Sequence, residues 1–127
     1  MDELEVIRDA GCTGSTVILR LKGPVNLDTL FLLKQKLREV PESDTVIDVT
    51  EVPYIDSAGL GTILSHWSHL QSHGKKFAMA GVSPRIEVLL EMTKVNTMLP
   101  MFRTAGEAEA SFNSAGPARA AGMWGPL

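Results

Sequence analysis

Apolar and polar residues alternate at the start of the chain: Leu4 and Val6 stand beside Glu3 and Glu5, and Val17, Leu19 and Leu21 alternate with Thr16, Ile18, Arg20 and Lys22. A period of two marks a half-buried strand. The Gly11-Cys12-Thr13-Gly14 segment between the two runs reads as the turn of a β-hairpin. The alternation implies a sheet with one covered and one partly exposed face. The period then changes. Leu30, Leu33, Leu37 and Val40 form a helical stripe, with Lys34, Gln35, Lys36 and Arg38 on the wet side. Gly23 and Pro24 close the hairpin, Asn26 or Asp28 can cap this helix, and Pro41 stops it.

The β-branched run Val46, Ile47 and Val49 suits a buried strand over 45–50. After Pro53 the spacing of Leu60, Ile63, Leu64, Trp67 and Leu70 predicts a helix ended by Gly74. Phe77-Ala78-Met79-Ala80 reads as a strand. Ser83-Pro84 starts another helix whose core face is Ile86, Leu89 and Leu90. Met98 to Phe102 is apolar but holds Pro100, which confines any strand there to an edge or a strand end. Thr104 and Glu107 have capping-box spacing and predict a helix to about Asn113. From Ser114 onward no period survives, so the expected division is a domain over 1–113 and a flexible tail over 114–127.

The order is a hairpin followed by βα units. Parallel crossovers are right-handed, so strands that neighbour each other in chain order place every crossover helix on the same side. The expected fold is α/β, a mixed β-sheet with helices on one face.

Composition narrows the function classes. The 127 residues suit one domain, and the net charge of −3 argues against binding a nucleic-acid backbone. No apolar run is long enough to cross a bilayer, and the acidic start MDELEVIRD lacks a signal peptide's basic and apolar regions. With a single cysteine, Cys12, no internal disulfide forms. These features fit a cytoplasmic protein without direct membrane contact.

The chemistry concentrates in Asp56-Ser57-Ala58-Gly59-Leu60-Gly61. Asp56 is placed to cap the helix, and Ser57 falls at its first position, where the dipole favours an added anion. Gly59 and Gly61 remove side chains from the same turn, at a cost of about 0.8–1.0 kcal/mol each in helix propensity. A partner backbone could therefore approach closely here. The expected partner-binding patch is Ser57, Gly59, Gly61 and Thr62, with the Val25-Asn26 turn and the capping Asp56.

Other chemistry is less well supplied. A nucleophile elbow needs glycine two residues before the serine, and that position is Ile55. His66, His69 and His73 share one helix and read as a solvated polar face. A metal would need a further ligand and orienting partners, which the sequence does not mark. There is no P-loop lysine. No catalysis, cofactor or metal is expected.

The hairpin, the Gly23-Pro24-Val25-Asn26 turn, the Val46-Ile47-Asp48-Val49 strand, the aspartate-serine motif and Ser83-Pro84 together resemble a STAS domain, and within that group the bacterial anti-anti-sigma factors, or anti-sigma factor antagonists. The resemblance covers roughly residues 4–113. It implies a small mixed sheet with helices on one face and a partner-switching role. The unphosphorylated protein binds an anti-sigma factor and thereby releases a sigma factor. The anti-sigma factor is a serine kinase of the histidine-kinase-like type, which phosphorylates the motif serine, here Ser57. A metal-dependent serine phosphatase reverses the step. ATP and magnesium then belong to the kinase. Two positions depart from the family, which often has acidic residues where this chain has Asn26 and near Pro24. They keep open a second reading, a non-phosphorylated STAS subunit of a transporter or sensory complex.

Overall fold

A computed structural model describes residues 3–11, 15–40 and 42–113. Cys12, Pro41 and the tail expected over 114–127 lie outside the described residues. The elements in chain order are β1 (Glu5–Ala10), β2 (Thr16–Lys22), α1 (Leu30–Glu39), β3 (Asp44–Glu51), α2 (Ser57–Ser72), β4 (Phe77–Ala80), α3 (Pro84–Met92), β5 (Met101–Phe102) and α4 (Ala105–Asn113). The strands form one sheet in the order β1-β2-β3-β4-β5. β1 and β2 are antiparallel, as a hairpin requires, and every later pairing is parallel. β5 is the two-residue edge strand that Pro100 allows, and the Pro100 carbonyl accepts from the Met79 N–H at 2.9 Å.

The helix ends follow the side chains that mark them. The Ser83 hydroxyl accepts from the Ile86 N–H at 3.2 Å, and Thr104 accepts from Glu107 at 3.1 Å. Gly74, at φ +71°, turns the chain after α2. There the Lys75 N–H reaches the Leu70 carbonyl and the Gly74 N–H reaches that of Gln71, the paired bonds that close a helix C-terminus.

The main core lies on one side of the sheet. Leu19, Leu21, Ile47, Val49, Phe77 and Met79 meet Leu33 and Leu37 of α1, Leu60, Ile63 and Leu70 of α2, and Ile86 and Leu90 of α3. Three crossover helices thus share a face, as right-handed connections demand. α4 departs from the one-face expectation. Its Ala105, Ala108 and Phe112 pack on Ile18, Val46, Ala78 and Ala80, which alternate with the main-core residues and so face the opposite side. The physical reason is that no strand follows α4 among the described residues, so the crossover rule does not bind it there. Ile18 and the alanines of β4 offer it a second apolar surface. Arg20 lies on the same strand two residues beyond Ile18, its guanidinium 2.8 Å from Asp9 and 2.9 Å from Asp48.

Candidate functional site at the start of α2

The loop after β3 and the loop after β2 are laced together before either helix begins. The Val25 N–H donates to the Tyr54 carbonyl at 3.1 Å, and the Asp56 N–H donates to the Val25 carbonyl at 3.0 Å. Val25 and Ile55 form a parallel bridge, in effect a rung continuing the β2–β3 ladder. Asp56 finishes the joint with both carboxylate oxygens. Oδ1 accepts from the Gly59 N–H at 2.8 Å, which caps α2, and Oδ2 accepts from the Leu27 N–H at 3.0 Å, which holds the other loop.

The capping of α1 expected of Asn26 or Asp28 is not what forms: Thr29 occupies the N-cap of α1 without a side-chain capping bond, and Asn26 instead closes the turn that precedes the helix. Its Oδ1 accepts from the Thr29 N–H at 3.1 Å, and its own N–H donates to Thr29 Oγ1 at 3.0 Å, a reciprocal pair of the capping-box kind. Its Nδ2 donates to the Tyr54 hydroxyl at 2.7 Å. The Tyr54 ring in turn lies under the Arg85 guanidinium, 5.3 Å from the ring centroid, so α3 braces the same corner.

This lacing sorts the expected patch residues. Ser57 and Gly61 are exposed, and Thr62 is half-exposed with its hydroxyl turned back to the Ala58 carbonyl at 3.2 Å. Asn26 and Asp56 are half-buried and committed to internal bonds. Val25 and Gly59 require a correction, because both are buried and can touch a partner only through the shape they maintain. A β-carbon on Gly59 would sit 2.5 Å from Val25 Cγ1 and 2.6 Å from the Val25 carbonyl oxygen. That glycine therefore answers to Val25. Gly61 differs, since a β-carbon there meets nothing within 4 Å.

At the α2 start the first four N–H groups have no carbonyl of their own helix to reach. Asp56 gives its N–H to Val25, and Gly59 gives its N–H to the Asp56 side chain. The N–H groups of Ser57 and Ala58 stay open, and the Ser57 hydroxyl makes no hydrogen bond among the described residues. An exposed hydroxyl thus stands beside two free donors at the positive end of a helix, a setting that accommodates an added phosphate.

Two neighbours escaped sequence reading. Leu27 and Phe31 are 70% and 76% exposed, so the α1 side of the joint offers bare apolar surface. The available signal was that both stand off the Leu30–Leu33–Leu37 stripe. Between α1 and α2 runs an open groove of about 690 Å³, with Lys34, Arg38, Ala58, Gly61, Thr62 and His66 among its walls. His66 is half-buried there, in contrast to the solvated face expected of all three histidines. Its Nε2 is buried without a partner among the described residues, and burial, followed by the nearby His69, lowers its pKa.

The model of the STAS domain family matches residues 7–108. Among curated relatives, the Anti-sigma F factor antagonist of Paenibacillus polymyxa is 24% identical over 90 residues, 68% of this chain and 77% of that one. The Anti-sigma-B factor antagonist of Listeria monocytogenes is 33% identical over 61 residues, so the match spans 48% of this chain and about half, 54%, of that relative. Among solved structures, the anti-sigma factor antagonist SpoIIAA in its unphosphorylated form has a TM-score of 0.71 at 17% identity, covering 86% of this chain and 96% of that one. The Bacillus cell-fate determinant SpoIIAA in its phosphorylated form has a TM-score of 0.65 at 17% identity, covering 85% and 99%. At these identities the structural likeness shows the fold. No helix among the described residues is long and apolar enough to cross a membrane.

Proposed function

The chain belongs to the STAS domain family, and from that premise we propose that it acts in the cytoplasm as an anti-sigma factor antagonist. In this reading the unphosphorylated protein binds an anti-sigma factor that is also a serine kinase, a sigma factor is released, and phosphorylation of Ser57 ends the interaction. A serine phosphatase restores the binding form. The observation that carries the proposal is the state of Ser57: exposed, at the first position of α2, with no partner for its hydroxyl among the described residues and two open N–H groups beside it. That relatives bear the antagonist name, and that SpoIIAA has been seen in a phosphorylated form, supports the same reading.

The geometry supplies a mechanism for the switch. Phosphate adds about −1.5 to −2 charges and three acceptor oxygens. The open N–H groups of Ser57 and Ala58 can receive some of that charge, worth about 0.3–1 kcal/mol at an exposed helix start. Asp56 next door is an opposing anion, already held by Gly59 and Leu27. The fold therefore changes little in stability. Docking changes greatly, because a surface fitted to a hydroxyl, to Gly61 and to Leu27 and Phe31 would have to desolvate a dianion, at a cost of several kcal/mol.

The test uses the full chain, a kinase of the histidine-kinase-like type and ATP. The parent gains one phosphate by intact mass and Ser57→Ala gains none. Ser57→Asp loses most of its affinity for the kinase by calorimetry while its circular dichroism and melting stay near those of the parent. Equal labelling of Ser57→Ala with undiminished binding by Ser57→Asp, or no labelling and co-purification with transport subunits instead, overturns the proposal.

A further inference from the structure

At the far end of α2 from Ser57, a second cluster gathers side chains of a different chemistry. His69 and His73, one helical turn apart, face the same way, and Glu42 reaches them from the loop before β3. Their ligand atoms all lie within 4.8 Å of one another. His69 Nε2 is 3.0 Å from Glu42 Oε2, and His73 Nε2 is 3.3 Å from the same oxygen. Donors around a tetrahedral zinc ion with bonds of about 2.0–2.1 Å stand about 3.3 Å apart, so the two spacings to Glu42 are already close to the edges of such a site.

The orientation of His73 is fixed from behind. Its Nδ1 lies 2.9 Å from the His69 carbonyl, an oxygen that can only accept, so Nδ1 carries the hydrogen. Ser72 Oγ, 3.2 Å from the same Nδ1, donates its own hydrogen to that carbonyl at 2.7 Å. In the neutral ring this leaves Nε2 as a lone pair directed at the Glu42 carboxylate. A histidine held by a backbone carbonyl through one nitrogen, with the other offered beside a carboxylate, is the usual arrangement of a metal ligand. The sequence shows the histidine pair but not Glu42, which stands 27 residues before His69, nor the carbonyl that orients His73.

We propose that Glu42, His69 and His73 form a surface site for a divalent transition ion of the zinc type, with solvent completing its coordination. Bound there, the ion ties the loop before β3 to the last turns of α2. It also replaces a carboxylate with a cation at one end of the α1–α2 groove, whose walls include Glu42 and His69. The site is independent of the antagonist reading.

The experiment is calorimetric titration of the full chain with zinc chloride in a buffer that does not bind metal, with circular dichroism confirming the fold of each variant. The parent takes up one ion saturably. His69→Ala, His73→Ala and Glu42→Gln each bind at least tenfold more weakly, while Cys12→Ser binds as the parent does. Zinc raises the melting temperature of the parent and leaves that of the His69→Ala, His73→Ala double variant unmoved. In NMR spectra, zinc shifts the ring signals of His69 and His73 and not those of His66. No saturable uptake by the parent, or uptake removed by Cys12→Ser and untouched by the histidine variants, overturns the proposal.

Discussion

At the start of α3, Ser83 caps the helix and Pro84 fills its first position, where a residue without an N–H leaves no donor open. At the start of α2, Asp56 caps with a better bond, 2.8 Å against 3.2 Å, yet the first position is a serine and the turn behind it holds two glycines. Both helices follow a parallel strand and both bury one apolar face in the same core. The difference is therefore not imposed by the fold. α3 presents no donor at its first position; α2 leaves donors, a hydroxyl and bare backbone facing outward. Packing accounts for only one of the two glycines. Gly59 must be small because Val25 lies against it, whereas Gly61 costs about 0.8–1.0 kcal/mol in helix propensity with nothing nearby to require it. A cost that the fold does not explain is what a contact surface leaves behind.

The strongest way to break this comparison is to exchange the fates of the two glycines. Gly59→Val drives a side chain into Val25 and its carbonyl and costs about 3 kcal/mol. In a domain near 100 residues that lowers the melting temperature by roughly 4–8 °C for each kcal/mol. Gly61→Arg melts no lower than the parent, and up to a few degrees higher because the helix-propensity cost is removed, and it abolishes binding to the anti-sigma partner. Melting curves and calorimetry on the two variants check this, and the reverse ranking in stability would show that the two positions have been assigned the wrong way round.

A smaller effect separates the caps. Ser83→Ala removes one hydrogen bond at a start with no other duty, and costs about 1 kcal/mol. Asp56→Ala removes the cap of α2 and the tie to the Leu27 N–H together, and costs about 2 kcal/mol. It also frees the 24–28 turn, so amide exchange at Leu27 accelerates in Asp56→Ala and stays at the parental rate in Ser83→Ala. Equal losses with no change at Leu27 would mean that Asp56 is an ordinary cap.

Much of this was legible in the chain. The hairpin, the parallel strands and three of the helix starts follow from periods of two and 3.6 and from Asp56, Ser83-Pro84 and Thr104 at their caps, whereas α1 begins at Thr29 and not at the Asn26 or Asp28 that the chain suggests. The second face of the sheet was not. Phe77-Ala78-Met79-Ala80 is apolar at every position, and such a run reads the same whether one face or both are covered. At the candidate site, exposure was readable for Ser57 and Gly61 from the motif. The burial of Val25 and Gly59 was not, because it arises from the bridge between Val25 and Ile55, residues 30 apart in sequence that meet only after β2 and β3 have paired. Leu27 and Phe31 were visible as apolar residues off their helical stripe. Glu42 was not, since nothing local marks a loop carboxylate as the neighbour of two histidines on another element.

The smallest expected effect lies further along α2, on its groove side. α3 carries no histidine, while α2 places His66 half-buried against the groove, with a buried Nε2 that has no partner among the described residues. Burial disfavours the charged ring, so His66 titrates below its ordinary value near 6.5, with His69 pushing the same way. Lys34 and Arg38 across the groove are cations, and Glu42 is the one carboxylate among the described residues of its wall. Above pH 6.5 the ring is neutral in both the folded and unfolded chains, and its contribution is constant. As pH falls below 6.5 the unfolded chain takes up a proton first, which favours unfolding, and the loss is complete once the pH has passed through the lower folded value. The parent should therefore lose stability between pH 6.5 and 5 more steeply than His66→Gln, with chelator present to keep the Glu42, His69 and His73 cluster metal-free. The two melting profiles should run parallel from pH 7 to 8 and converge or cross below 6.5. The difference should be smaller than either cap effect, because water still reaches part of the ring and screens its charge. Profiles that stay parallel down to pH 5 would show that the ring finds water or a partner when it charges, and that the groove side of α2 is as well solvated as the outer face of α3.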